Sequence, residues 1–371
     1  MGWNMTCGKI NLKCLRKEGQ QEREVKRIVI PLDPHIKRII DLIGLKLNER
    51  SSLEGTIIIS GAPRTGTTLL MEILATLPGY KTIYEPLHPN WFPSLFKLGF
   101  PPRIYLNTEE DNELLYNHLK NVFSGKGVAQ NPHYFLFNFK EVYRRISFNK
   151  ICAKFVNGNR LLPWISDRFT LKATFLIIRH PCATISSQLK TGFVGYPREY
   201  EMEIRKGNVK FLKRIILEEI SMIDNLKEKQ ELINKINGMK TLEELLAVEW
   251  SLDYVIPLYF FNKYNWHLII YERLIKNSKD ELINIFDKIG ENVPKKAYKL
   301  IKKPSRTSLE KKIYTQRQLH KWKNHLSKKQ IEGIFDVVNF FGIDFYNEDA
   351  EPDDDALAYY LKSKNKLFLL E

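Results

Sequence analysis

Residues 55–70, which read GTIIISGAPRTGTTLL, limit the fold of this chain more than any other segment. The run of β-branched residues predicts a buried strand, and the glycine-containing turn after it leads into a helical pattern. A strand, a glycine turn and a helix in this order are typical of a phosphate-binding loop in an α/β protein. The turn nearly fits the pattern Gly-x-x-x-x-Gly-Lys-Ser/Thr, but Thr67 occupies the lysine position. The cation of this loop is Arg64 instead.

The loop retains the groups that bind an oxyanion. Gly61 and Gly66 allow tight backbone geometry, and the amides that follow lie at the positive end of a helix. Arg64 adds a permanent charge and a fork of donors that matches a phosphate or sulfate group. The residues predicted to bind the anion are Arg64, Thr65, Gly66, Thr67 and Thr68.

A second strand also ends in a cation. Residues 172–178 form an apolar, β-branched run that stops at Arg179-His180-Pro181, and a helical segment with Ser187 follows. NTPases that use Mg²⁺ place a carboxylate at a comparable strand end. An arginine at a strand end and a hydroxyl on the next helix can converge on one phosphate, so Arg179 and Ser187 are predicted to share a ligand.

Both segments resemble the donor site of one enzyme family. Residues 62–69, APRTGTTL, resemble the 5′-phosphosulfate loop of sulfotransferases, whose donor is 3′-phosphoadenosine 5′-phosphosulfate (PAPS). The arginine form is more similar to carbohydrate and protein-tyrosine sulfotransferases than to the cytosolic small-molecule enzymes. Arg179 and Ser187 match the family's 3′-phosphate site. The resemblance implies an α/β fold, with a single P-loop domain whose central, mainly parallel sheet is flanked by helices, and PAPS as co-substrate without a metal.

A third segment matches the family in part. Residues 318–327, QLHKWKNHLS, resemble a stretch near the sulfotransferase C-terminus that closes over the donor. The family's glycine-containing element is missing, since no glycine lies between Gly290 and Gly333. Its backbone contacts therefore cannot be transferred, and Arg317, Trp322 and Lys323 are the candidate donor-binding residues of this segment.

Sulfuryl transfer to a hydroxyl or an amine also needs a base. Glu85 is the first candidate, because it ends a short predicted strand at 81–84 and Pro86 turns the chain at the ligand-binding edge of the sheet. The Glu-Pro pair resembles a segment of carbohydrate sulfotransferases in which the glutamate is the base. His88 is the rival base, and His133 is a more distant one.

Two other functions remain open on the sequence. A P-loop kinase or NTPase would need Glu272, at the end of another predicted strand, as its Mg²⁺ carboxylate. A non-catalytic protein of this fold could bind polyanions, because the chain carries a net charge of +15 and its lysines and arginines concentrate between residues 295 and 329. We expect no nucleic-acid partner, since no recognised binding fold or interleaved aromatic pattern accompanies these charges.

The acceptor is expected to bind between the first two motifs. This region is rich in aromatic residues that suit a sugar or a phenol: Trp91, Phe92, Phe96, Phe100, Tyr105, Tyr134, Phe135, Phe137 and Phe139. The sequence predicts a carbohydrate acceptor from the resemblance and leaves a small alcohol, a phenol and a peptide tyrosine open.

The order of these patterns predicts an extension over residues 1–54, a sulfotransferase domain over 55–346 and an acidic tail over 347–371. Strands are predicted at 56–60, 81–84, 150–155, 173–178 and 266–271. Helices are predicted at 36–45, 111–124, 134–147, 210–236, 279–289 and 327–341. A further helix is predicted to begin at a capping box at Thr241 and to run toward Pro257. The chain has no signal-peptide core or long apolar run, so a cytoplasmic enzyme is expected.

Overall fold

The computed structural model describes residues 39, 53–90, 92, 95–96, 98–125, 148, 150–226, 228–303 and 319–363. Several predictions lie outside these residues: the helix at 134–147, His133, Arg317, residues 304–318 of the basic segment and the helix at 36–45 except Ile39.

The strands form one parallel sheet. The described residues contain five strands: β1 Ile57–Ser60, β2 Tyr80–Tyr84, β3 Lys150–Phe155, β4 Ala173–Ile178 and β5 Trp266–Ile270. Their order is β2-β3-β1-β4-β5, and every neighbouring pair is parallel. The predicted α/β class and the five predicted strands are confirmed, with ends that differ by a residue at most. All carboxyl ends therefore meet at one edge, where α/β sheets bind ligands.

Helices cover both faces of this sheet. Those in the described part of the chain are α1 Thr67–Leu74, α2 Glu113–Phe123, α3 Leu162–Arg168, α4 Pro181–Thr191, α5 Arg198–Arg205, α6 Val209–Ser221, α7 Gln230–Gly238, α8 Leu242–Tyr259, α9 Tyr271–Lys276, α10 Ser278–Asp287, α11 Lys295–Leu300, α12 Lys328–Phe340 and α13 Asp354–Lys362. The predicted capping box is present, since Thr241 and Glu244 exchange hydrogen bonds at the start of α8. None of these helices has the length and apolar character that crossing a bilayer requires.

The single helix predicted over residues 210–236 is wrong. Helix α6 ends at Ser221, and α7 begins at Gln230 after a turn. The turn contains Asp224 and Asn225, whose side chains favour turns because they compete for nearby backbone groups. Ile223 and Leu226 bury their side chains from this turn, which explains the continuous helical periodicity of the sequence.

Strand β1 divides the apolar interior into two layers. Ile58 packs with one cluster of buried residues, whereas Ile57 and Ile59 pack with the other, on the side of α1. This alternation follows from the two-residue period of a strand. All three isoleucines are fully buried, so β1 is the centre of the fold and fixes where the phosphate-binding loop begins.

A cluster of buried charges connects distant parts of the chain. Arg160 pairs with Glu219 at 2.8 Å, with Glu249 at 2.7 Å and with Asp253 at 3.0 Å. Arg103 pairs with Glu249 at 3.0 Å and with Asp253 at 3.4 Å. The cluster thus joins α6 and α8 to the chain before α2 and after β3. Two guanidinium groups face three carboxyl groups, so one negative charge is in excess unless one carboxyl is protonated.

The C-terminal segment with the predicted acidic run packs on the domain. Asp353 caps α13, and Leu357 and Tyr360 of that helix are buried. Acidic side chains of the run pair with basic ones of α9: Arg273 with Asp354, and Lys276 with Glu351 at 2.5 Å. These pairs hold the run against the surface next to β5.

We predict that replacing Glu219 by Gln removes part of the pH dependence of stability. Burial, followed by the negative charge of Glu249, raises the pKa of Glu219 to about 8. The folded protein therefore holds a proton that the unfolded chain loses near pH 4.3, and stability falls as pH rises from there toward 8, by up to about 1.4 kcal/mol per pH unit. Urea unfolding of Glu219→Gln should show a smaller decline between pH 5 and 8.

Glu218→Gln is the matched control for this measurement. Glu218 lies next to Glu219 on α6, but its carboxylate is exposed and pairs with Arg214 at 2.6 Å. The control should keep the wild-type pH profile. An unchanged profile in Glu219→Gln would show that Glu219 does not hold the proton of the cluster.

Candidate functional site

The phosphate-binding loop starts where β1 ends against β4. A Cβ on Gly61 would lie 2.6 Å from the carbonyl oxygen of Ile177, so only glycine fits this close approach. The hydroxyl of Tyr254 on α8 accepts a hydrogen bond from the amide of Ala62 at 3.2 Å and donates to the Ile177 oxygen at 2.9 Å. Tyr254 therefore fixes the first residues of the loop relative to both strands.

The loop then turns into α1 through two residues with positive φ. Arg64 has φ 76° and Gly66 has φ 101°. A Cβ on Gly66 would lie 2.5 Å from the ring of Tyr271, so a side chain is excluded by contact as well as by conformation. Gly66 provides no side-chain cap for α1, which leaves the first-turn amides of Thr67 and Thr68 as donors for an anion.

Thr65 differs from the other predicted anion-binding residues. Its amide donates to the carbonyl oxygen of Ala62 at 3.2 Å, and its hydroxyl donates to the same oxygen at 2.7 Å. Thr65 is fully buried. Both donors therefore stabilise the turn itself in this structure.

The structure brings the two sequence motifs together. Nε of Arg64 donates to the hydroxyl of Ser187 on α4 at 3.2 Å, and Nη1 of Arg179 donates to the carbonyl oxygen of Arg64 at 3.0 Å. The Arg179 guanidinium also stacks on the Tyr271 ring at 4.5 Å, while its buried Nε has no hydrogen-bond partner among the described residues. Two guanidinium groups and a hydroxyl are thus adjacent at the strand ends, and the Nε of Arg179 is a donor that suits an anion.

Glu85 lies at the other side of the loop, at the end of β2. Its carboxylate forms an ion pair with Lys154 of β3 and accepts a hydrogen bond from the amide of Val156 at 2.8 Å. The residue has φ 51°, which is strained for a side chain other than glycine. Burial raises the pKa of the Glu85 carboxyl, and the charge of Lys154 opposes this shift. Nζ of Lys154 also lies 3.5 Å from the hydroxyl of Thr68.

The rival base His88 is buried one turn after Glu85. Its Nδ1 accepts a hydrogen bond from the amide of Asn90 at 3.2 Å. Burial, followed by the positive charges of Lys154 and Arg103, lowers the pKa of His88 to about 3. His88 is therefore neutral at physiological pH and a much weaker base than an unperturbed imidazole.

The predicted donor-closing segment is anchored by Trp322. This side chain is buried and stacks on His180 with a ring separation of 4.5 Å. His180 follows Arg179, so the stack holds residues 319–326 beside the end of β4. Lys323 is exposed and lies 4.0 Å from Glu348 of the acidic run. Trp322 thus orients this segment from the interior, while Lys323 points to its surface.

Glu272, the carboxylate that a Mg²⁺-dependent enzyme would require, belongs to the interior. It accepts hydrogen bonds from the amide of His180 at 3.0 Å and from the hydroxyl of Tyr346 at 3.3 Å. Burial raises its pKa to about 7. Its carboxylate oxygens are thus used to join β4 to the chain after α12.

Sequence reasoning missed Lys154 and Tyr254. A lysine near the end of an apolar strand is easily taken for an exposed residue, but a strand placed inside a parallel sheet is buried on both faces. Lys154 is 1% exposed and therefore needs a buried partner, which is Glu85. For Tyr254 the sequence held no signal, because its partners are backbone atoms of remote residues.

Several solved structures are similar to this chain. A sulfotransferase domain from the olefin synthase of Synechococcus PCC 7002 is 14% identical with a TM-score of 0.39, and the match covers 79% of this chain and 96% of that one. A sulfotransferase domain from the curacin biosynthetic pathway is 13% identical with a TM-score of 0.41, covering 79% and 99%. Mouse sulfotransferase SULT7A1, solved in complex with PAP, is 14% identical with a TM-score of 0.37, covering 80% and 87%.

No protein-family model and no curated protein matches the sequence. The structural similarities are to sulfotransferases, the class that the two motifs resemble.

We predict that Gly66→Ala destabilises the protein more than Gly207→Ala. Both glycines have positive φ, at 101° and 80°, but a Cβ on Gly207 would meet no atom within 4 Å. The left-handed conformation alone costs about 1–2 kcal/mol for alanine. Gly66→Ala adds a clash with the Tyr271 ring, and its free energy of unfolding in urea should fall further. Equal losses in the two variants would show that Tyr271 moves aside freely.

Proposed function

We propose that this chain is a sulfotransferase that moves the sulfuryl group of PAPS to a hydroxyl or an amine of an acceptor. The observation that supports the proposal most is the contact between Arg64, Arg179 and Ser187, which lie in two separate motifs. These residues and the first turn of α1 together form one anion-binding surface. Glu85 lies beyond the same loop and supplies a base.

The donor would bind along the ends of β1 and β4. In this proposal the amides of Thr67 and Thr68 and the guanidinium of Arg64 bind the phosphosulfate, and Arg179 with Ser187 binds the 3′-phosphate. The unpartnered Nε of Arg179 fits this assignment, because a buried donor without a partner is costly unless a ligand satisfies it. Lys323 would contribute from the segment that Trp322 anchors.

Glu85 would remove the acceptor proton. As the acceptor oxygen or nitrogen bonds to sulfur, its proton passes to the carboxylate and the sulfur–oxygen bond to the donor breaks, leaving the electron pair on the phosphate oxygen. Lys154 lies between Glu85 and Thr68, so its ammonium is near both the base and the first turn of α1. Once Glu85 is protonated, the Lys154 charge is released from its partner and can stabilise the negative charge on the leaving phosphate.

A carbohydrate is the acceptor class that we favour, because the Glu-Pro pair and the arginine form of the loop resemble carbohydrate sulfotransferases. Glu85 is a better base than His88 on the observed environment, because burial leaves His88 with a pKa of about 3. The commitment of Glu272 to His180 and Tyr346 makes the kinase alternative the weaker proposal.

Thermal unfolding with ligands tests the donor. We expect adenosine 3′,5′-bisphosphate to raise the unfolding temperature without Mg²⁺, since a ligand at 100 times its Kd stabilises the folded state by about 2.7 kcal/mol. Arg179→Ala should lose this shift. Arg214→Ala, which removes an exposed guanidinium from α6, should keep it. Stabilisation by ATP with Mg²⁺ alone would contradict the proposal, and stabilisation by heparin alone would favour a polyanion-binding protein.

Glu85→Gln tests the base. We expect turnover to fall by about 10²-fold or more, the usual contribution of a general base, while the shift with adenosine 3′,5′-bisphosphate persists. Glu291→Gln is the matched control, because Glu291 pairs with Lys150 of the same strand as Lys154, at 3.7 Å and near the surface. Retained activity in Glu85→Gln would move the assignment to His88.

A further inference from the structure

Residues 192–197, which we call the 192–197 loop, connect α4 to α5 beside the candidate site. The loop touches the phosphate-binding loop, since a Cβ on Gly195 would lie 2.9 Å from the ring of Pro63 and 2.7 Å from Oδ1 of Asn157. At its other end the ring of Phe193 lies parallel to that of His88, with 6.1 Å between their centroids. The loop therefore spans from the donor side of the site to the residues that follow Glu85.

Buried side chains hold the middle of this loop. Oε1 of Glu201 accepts the amides of Val194 at 3.0 Å and of Gly195 at 3.2 Å. The carbonyl oxygen of Val194 accepts from Nη2 of Arg103 at 2.7 Å, and that of Gly195 accepts from Nδ2 of Asn157 at 2.7 Å. Two consecutive residues, Val194 and Gly195, are thus fixed by the carboxyl group of Glu201 on one side and by a cation and an amide on the other.

Arg103 also ties the loop to the buried charge cluster. Its guanidinium pairs with Glu249 and Asp253 of α8 and stacks on the Tyr196 ring at 4.5 Å. The next residue of α8 is Tyr254, which holds the amide of Ala62. The same helix therefore fixes the 192–197 loop through charges and the phosphate-binding loop through a hydroxyl.

The cost of this arrangement suggests a role beyond folding. Glu201 is 8% exposed and Arg103 is 2% exposed, and burying ionic groups is expensive unless each is fully paired. A surface loop can instead satisfy its backbone N–H and C=O groups with a turn and with water, without buried charges. Here the two side chains fix Val194 and Gly195, the residues that follow Phe193. The Phe193 ring lies next to His88, whose amide donates to the carbonyl oxygen of Glu85 at 3.0 Å.

We infer that Glu201 and Arg103 are positioning residues that hold the 192–197 loop as one wall of the acceptor pocket, with Phe193 presenting an apolar ring to the acceptor. This inference rests on the proposed function, because Glu85 defines where the acceptor reacts. The ring of Phe193 suits the apolar C–H face of a sugar or an aromatic ring.

Hydrogen exchange on Glu201→Asp tests the positioning role. The shorter side chain keeps the charge but cannot reach both amides, so deuterium uptake in residues 192–197 should rise. Glu201→Gln retains a carbonyl oxygen of the same reach and should restore protection. Glu203→Ala, on the same helix but half-buried and bonded to Lys206 and Asn208 rather than to the loop amides, is the control with wild-type uptake. Wild-type uptake in Glu201→Asp would overturn the inference.

A second measurement distinguishes a role of the loop in acceptor binding from a purely structural role. With PAPS and p-nitrophenyl β-D-galactoside, Glu201→Asp should raise the KM for the glycoside by about tenfold, the equivalent of one hydrogen bond to a charged group, with smaller change in kcat. The affinity for adenosine 3′,5′-bisphosphate should not change. Raised uptake with an unchanged KM would also overturn the inference.

The two proposals fail in different ways. Absence of stabilisation by adenosine 3′,5′-bisphosphate in the wild type would refute the sulfotransferase proposal, and with it the acceptor role of the loop. If the wild type binds the nucleotide but Glu201→Asp changes neither exchange nor KM, the sulfotransferase proposal stands and the positioning role is refuted. If the wild type binds the nucleotide but does not use the glycoside, the acceptor wall that we infer for a sugar is refuted, whatever the exchange shows.

Discussion

The central position of β1 in a parallel sheet is the constraint on which the candidate site depends. Because β3 and β4 flank it in parallel register, the chain leaves all three strands at the same edge. The strand is buried on both faces, so it cannot shift to relieve a clash at its end. The chain must therefore turn within contact distance of Ile177, and glycine at position 61 satisfies this requirement. The phosphate-binding loop follows from this packing.

The same packing places charges in the interior. Lys154 sits in β3 between two other strands, and its ammonium is stabilised there by Glu85. The pair is shielded from water, so the attraction between the two charges is stronger than at the surface. Separating the two charges therefore costs more free energy than it would at the surface. A base paired in this way is held in one orientation, at the expense of a strained backbone at Glu85. Arg64 and Glu85 both have positive φ, a backbone conformation that the strands and helices around them do not adopt.

How much the sequence predicted depends on the range of the interactions. The five strands and the capping box at Thr241 were predicted well, because β-branched runs and caps are determined by neighbouring residues. The helix over 210–236 was wrong, because the turn near Asp224 buries apolar residues with helical spacing. Lys154 and the low pKa of His88 could not be predicted, since each depends on side chains from other elements. Arg103 and Asp253, in contact in the fold, are 150 residues apart in the chain.

This difference in range explains why the proposed donor-binding residues form a sequence pattern, whereas those of the proposed acceptor side do not. An anion at a helix N-terminus is bound by consecutive amides and by a cation of the same turn, so Arg64, Thr67 and Thr68 form a readable pattern. In the proposed enzyme the acceptor side combines Glu85 after β2, Asn157 after β3 and Phe193 after α4. No spacing along the chain relates these residues. Their relation arises from the sheet order and from the buried charges that fix the 192–197 loop, so acceptor specificity must be derived from the packing.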